Sequence, residues 1–268
     1  MPNTKKTINY ASKENPHDPP MPLQEHLGEL RKRILIAGAF IFVGFVIATT
    51  IEIELNQPIL TLLRNPLDAR KIPLVFDELT EPFFTYLRVG LYASIFFTLP
   101  ISLGQLWLFA KPALYPQEQK LFWPFLFISY PLFVGGGLFG YFIVLPFGYD
   151  FFLSFQNLFT EPSLRMSNYL TLTIRILFAF GAIFELPIIS LFLTRLGVID
   201  AQWLRSNRKF AIIVIFVVAA ILTPPDVFTQ TLMAGPLIVL YEISILVSRM
   251  VEPRKKKADT KQGETTDT

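Results

Sequence analysis

The sequence predicts an all-α polytopic membrane protein with six transmembrane helices, both termini cytoplasmic, the last two helices short, and a concave overall shape. Composition, run length and charge placement carry this prediction. Of 268 residues, 52 % are hydrophobic and 17 % charged, and the mean hydropathy is +0.46. Soluble domains average about 25 % charged residues. The 27 Phe are more aromatic surface than a soluble fold of this size can hide. A helix needs about 20 mostly apolar residues to cross roughly 30 Å of hydrocarbon. Six runs qualify as candidates: Ile34–Ile51, Phe83–Phe109, Phe122–Leu145, Leu170–Thr194, Phe210–Leu222 and Thr229–Val247. They are continuously apolar, without the alternation of a barrel strand. Eighteen of the 24 Lys and Arg fall in the N-terminal segment, in 110–121, in 195–209 and after Val247. The alternate segments hold four, and Arg88 and Arg175 lie inside spans. Positive charge collects on the cytoplasmic side, which places both termini there. The net charge of +3 then serves orientation and anionic lipid and needs no nucleic-acid partner.

Residues 1–20 are polar and contain Pro16, Pro19 and Pro20, the composition of a disordered tail. The first apolar run starts only at Ile34, too late for a cleavable signal peptide. The transmembrane domain is expected over 21–249, with a basic, polar cytoplasmic tail over 250–268. Its first stretch, Met21–Arg33, places Leu23, Leu27, Leu30 and Ile34 at helical spacing, which predicts an amphipathic helix at the interface. Glu25 and Glu29 share a face of it. The loop from Lys111 contributes Glu118, and two acids on an otherwise basic face, Glu29 and Glu118, suit a cationic ligand. Pro100, Pro124, Pro131, Pro187 and Pro236 each remove a backbone donor and predict kinks. Phe210–Leu222 would reach only about 20 Å before Thr223-Pro224-Pro225-Asp226 turns the chain, which predicts a recess beside full-length neighbours.

Glu185 is fifteen residues into the fourth span, where a carboxyl group costs roughly 2.5–3.5 kcal/mol on insertion scales. It is either a functional group or a structural hydrogen bond to another helix. Arg175 is about 15 Å away along the same helix and is no local partner. Arg88 sits near the outer end of its span and is placed to snorkel. Gly135–Gly140 matches G-x-G-x-x-G by letter, but lies inside an apolar span with no preceding strand. Gly136 and Gly140 fit close helix packing instead. There is no P-loop and no G-x-S-x-G, there are no Cys, and His17 and His26 both lie near the N-terminus. Neither a metal site nor a cofactor is expected, and no nucleophile–base pair for an enzyme can be named.

The run Pro22-Leu-Gln-Glu-His26-Leu-Gly-Glu29-Leu-Arg31-Lys-Arg33 resembles the N-terminal signature of TatC, the large polytopic subunit of the twin-arginine protein translocase. So do Trp107-Leu-Phe109-Ala-Lys-Pro-Ala-Leu-Tyr115 with Glu118, and Phe180-Gly-Ala-Ile-Phe-Glu185-Leu-Pro187. Leu222-Thr-Pro-Pro-Asp226-Val-Phe-Thr-Gln230 and Glu242 complete the resemblance, which runs from about Pro22 to Arg249. It implies a receptor for signal peptides with paired arginines, and the core of a translocase for folded proteins driven by the proton-motive force in the bacterial inner membrane. By this resemblance Glu29 and Glu118 hold the arginine pair, with Arg31, Arg33 and Phe109 shaping the same patch. Glu185 is the polar group inside the concave face. Asp226 and Gln230 mark where single-span TatA- and TatB-type partners dock, in a hetero- and homo-oligomer. The rival readings are a small-solute secondary transporter with a mid-membrane carboxylate, an intramembrane enzyme, and a passive scaffold. The transporter would be expected to show repeated halves, and no such repeat is evident.

Overall fold

The computed structural model describes residues 23–68, 72–111, 119–120, 122–154, 164–222 and 227–251. The predicted disordered tail over 1–20, nearly all of the predicted tail over 250–268, Glu118 and Asp226 lie outside the described residues. The described chain is helical, apart from one short ladder. Helix α1, Leu23–Glu54, runs 32 residues without a break. The segment expected to lie separately at the interface is therefore the first turns of the first span. No proline interrupts Leu23–Glu54, so the helical spacing of its apolar residues carries straight on.

Asn56 and Gln57 then take positive φ of 55° and 60°, and the chain reverses into α2, Pro58–Asp68. Two strands of two residues, β1 (Leu74–Val75) and β2 (Leu164–Arg165), pair in parallel on this side of the bundle. Helix α3, Glu81–Ala110, returns along α1. Helix α4, Phe122–Phe139, passes through a π-helical turn at Gly140–Val144 into α5, Leu145–Leu153. Helix α6, Met166–Phe184, breaks at Glu185 and resumes as α7, Leu186–Arg195. A short α8, Ala201–Ser206, is capped by Asp200, whose carboxylate accepts the Trp203 N–H at 2.6 Å. Helices α9, Arg208–Leu222, and α10, Val227–Val251, complete the described chain.

Among the described residues, five stretches are long and apolar enough to cross a membrane: His26–Glu54, Glu81–Phe109, Trp123–Leu153, Met166–Arg195 and Val227–Val251. The expectation that both final helices are short is corrected for the last one. At 25 residues α10 spans easily, because the helix starts two residues before the predicted Thr229 and carries on through Ser248–Val251. Helix α9, with 15 residues, is indeed short, at about 22 Å.

The pairing of α1 with α3 depends on small residues. A Cβ on Gly90 would stand 2.2 Å from the Thr49 hydroxyl, and the Ser94 hydroxyl donates to the Ile41 carbonyl. Between α4 and α6 the predicted role of Gly136 is met: a Cβ there would lie 2.4 Å from the Phe180 carbonyl oxygen and 2.8 Å from the Phe184 ring. The core gathers Leu145, Tyr169, Phe180, Ala219 and Leu237 from α5, α6, α9 and α10.

Candidate functional site

The start of α1 meets the end of α3. Phe109 stacks on His26, ring centroids 4.4 Å apart and 20° from parallel. Along α1 from that stack, Arg33 donates to Glu29 at 3.1 Å and to Gln105 at 3.3 Å. Glu29 precedes Arg33 by four residues, the favourable order for a helical ion pair. Their side chains are only 21 % and 24 % exposed, so water weakens this pair less than it would a surface pair. The Arg33 Nε is buried and has no hydrogen-bond partner among the described residues. Behind this surface Trp107 packs edge-on to Phe192 at 5.0 Å and beside Phe125 at 6.3 Å. That contact fixes the end of α3 against α4 and α7. The result is a carboxylate held in one orientation beside a flat aromatic stack.

Of the residues named from sequence, Glu29, Arg33 and Phe109 come together here. Arg31 does not: it lies about 200° around α1 from both Glu29 and Arg33 at 100° per residue. There it lines a shallow groove with Gly28, Lys32 and Leu35. His26 and Gln105 were not expected at this site. Gln105 stands four residues before Phe109, one turn away on the same face, which is the signal that identifies it.

Glu185 marks the break between α6 and α7. Pro187 has no N–H for the Ile183 carbonyl, and the Glu185 N–H turns to the Ala182 and Ile183 carbonyls instead. The Ser129 hydroxyl of α4 donates to one Glu185 carboxylate oxygen. The other oxygen is buried and has no hydrogen-bond partner among the described residues. Gln230 donates to the Phe216 carbonyl at 3.0 Å and ties α10 to α9. Arg208 and Glu242 join the same two helices by an ion pair of 2.6 Å.

The family model for Sec-independent protein translocase protein (TatC) matches residues 25–236. A TatC of Desulforapulum autotrophicum is 39 % identical over 249 residues, 92 % of this chain and 91 % of that protein. The Aquifex aeolicus TatC is 38 % identical over 88 % of this chain and 98 % of that protein. Among solved structures, one described as the twin-arginine translocase receptor TatC superposes with a TM-score of 0.72. It is 37 % identical and covers 84 % of this chain and 99 % of its own. A second, of TatC in the detergent DDM, has a TM-score of 0.74 at 38 % identity over the same shares of both chains. With a helix break at Glu185, five apolar stretches among the described residues long enough to cross a membrane, and a match over most of its length, this chain belongs to the TatC family of Sec-independent protein translocase proteins.

Proposed function

We propose that this chain is the signal-peptide receptor and core subunit of a translocase that exports folded proteins with twin-arginine signal peptides. The observation that carries the proposal is the fixed Glu29 carboxylate beside the His26–Phe109 stack. A guanidinium matches a carboxylate through a planar fork, which the point charge of lysine does not reproduce. An incoming arginine would share Glu29 with Arg33, while Gln105 keeps a hydrogen bond to Arg33. Glu118, which follows α3 in the sequence, is the second carboxylate for the second arginine. Gln230 of α10 and Asp226, which precedes that helix in the sequence, mark where TatA- and TatB-type single-span subunits dock.

Six spans, with both termini in the cytoplasm of a bacterial inner membrane, put Glu29 and Glu118 where a precursor arrives. The short α9 makes the molecule concave around Glu185. Residues 21–249 form the transmembrane domain between two polar tails. Energy comes from the proton-motive force, in keeping with the lack of a P-loop in the sequence.

The test is precursor crosslinking in membrane vesicles, with probes beside Glu29 and Glu118 and signal peptides carrying Arg-Arg or Lys-Lys. Arg-Arg is expected to label strongly and Lys-Lys weakly. Glu118→Ala should lower capture by roughly ten- to a hundredfold, the loss of one charged hydrogen bond of about 1.5–3 kcal/mol, and leave insertion and abundance unchanged. Equal labelling by the two peptides would remove the receptor assignment.

A further inference from the structure

The end of the bundle opposite Glu29 holds a second concentration of charge. Arg88 of α3 and Arg175 of α6 both lie within membrane spans and are exposed. They line one cavity of about 240 Å³ with Thr85, Ser167 and Thr171. Neither has an acid within ion-pair distance among the described residues. The acids nearby stand at the rim, and two of the three are engaged there. Asp77 pairs with Arg165, and Glu81 accepts the backbone N–H groups of Ser167 at 2.8 Å and Asp77 at 3.1 Å. Glu78 lines the rim with them and Arg88 borders that rim as well, whereas no acid lines the deeper cavity that holds both arginines.

Depth makes the pair unusual. Arg88 is seven residues into α3 and Arg175 nine residues into α6, about 10 and 14 Å below the helix starts. Snorkelling brings a guanidinium near the start of a helix back to water, but Arg175 is close to the limit of its reach. An uncompensated charge at such depth is expensive, so a counter-charge that enters from the membrane is the natural partner.

Below Arg175 the recess continues against Tyr92, Phe178, Ile221 and Leu222, where α9 ends. The cavity is therefore polar at its mouth and apolar at its base. This gradient is that of an amphiphile with an anionic head.

We propose that Arg88 and Arg175 bind the phosphate of a membrane phospholipid, from the leaflet on the side away from Glu29, with an acyl chain in the apolar recess beside the end of α9. The two guanidiniums supply paired donors to phosphate oxygens, and Thr85, Ser167 and Thr171 complete a polar collar around the head. This drawing-in of a headgroup deepens the polar surface on that side, next to the shortest of the long helices. It requires no signal peptide, so its test stands or falls apart from the receptor assignment.

The experiment is native mass spectrometry of the full chain, stripped of lipid in detergent. It is titrated with phosphatidylglycerol and with a diglucosyl diacylglycerol of the same acyl chains. The first phosphatidylglycerol adduct should be retained about tenfold over the glycolipid, as charged hydrogen bonds to phosphate require. Arg88→Gln/Arg175→Gln should abolish that preference, and Arg88→Lys/Arg175→Lys should keep part of it. Arg165→Gln, at the rim, should leave it intact. The single variants Arg88→Gln and Arg175→Gln, each expected to lose several-fold, decide the matter if the double variant does not insert. A preference that survives in the glutamine variants, or is absent from the unaltered chain, overturns the proposal. Loss of the adduct to millimolar inorganic phosphate would also overturn it, because the site would then hold a small anion and not a lipid.

Discussion

Glu185 is a carboxylate at a helix break, with one oxygen taking the Ser129 hydroxyl and the other buried without a partner among the described residues. A purely structural carboxylate would be expected to satisfy both oxygens, since an unmet buried acceptor costs about 1–3 kcal/mol. Glu185→Gln keeps an oxygen for Ser129 and a similar shape, so export should fall only modestly. Glu185→Lys places an ammonium beside a hydroxyl with no acid to balance it, at roughly 2.5–3.5 kcal/mol, and export should collapse. Transport rates at matched membrane abundance check this, and equal rates for the two variants would reduce Glu185 to a space-filling role. Glu185 was legible in the sequence because one acid in an apolar run has few explanations. Ser129, 56 residues earlier, was not, because small hydroxyl residues are common in spans and nothing local marks this one. The place of Arg31 was not legible for a different reason. Motif membership names a residue without its face, and a two-residue step turns the side chain to the other side of α1.

At the level of elements, α2 is the part of the fold that the sequence hid. With Pro58 and Pro66 inside eleven residues, Pro58–Asp68 reads as an external loop. The helix forms because each missing bond is replaced. Pro58 needs no donor at the first position, and the fully buried Glu52 accepts the N–H groups of Ile59 at 3.0 Å and Leu60 at 2.9 Å. Thr61 donates to the Gln57 carbonyl at 2.9 Å. Pro66 leaves the Leu62 carbonyl without its helical donor, and the Tyr141 hydroxyl supplies one. Tyr169 adds a bond to the Leu63 carbonyl at 2.7 Å. Glu52, Tyr141 and Tyr169 all lie outside the segment, so no pattern within it announces them. Glu52→Ala strands two donors, one buried and one half-buried, and should cost about 2–3 kcal/mol, seen as a thermal midpoint lower by roughly 5 °C. Glu52→Gln, which keeps one acceptor, should lose about half as much. Unchanged midpoints for both would show that α2 is held by its apolar contacts alone.

For the whole molecule, the decisive element is α9, because its crossing sets the side on which the chain ends. Its 15 residues reach about 22 Å, less than the roughly 30 Å of hydrocarbon, so a crossing needs a thinned bilayer. Arg208 and Lys209 at its start help, since their long side chains reach the interface from a short helix. Charge argues in the same direction. Arg249 and the five Lys and Arg beyond it favour the cytoplasm, and this holds only if α9 crosses. The chain has no cysteine, so single thiols can be placed without background. Leu79, 91 % exposed on the turn before α3, and Met250, 74 % exposed at the end of α10, are suitable positions. With six spans, an impermeant thiol reagent on intact inner-membrane spheroplasts labels Leu79→Cys and spares Met250→Cys until the membrane is opened. If α9 lies within one leaflet instead, α10 runs the other way and Met250→Cys labels from outside as readily as Leu79→Cys. That outcome would put the C-terminal tail on the far side from Glu29, and the six-span topology would give way to five.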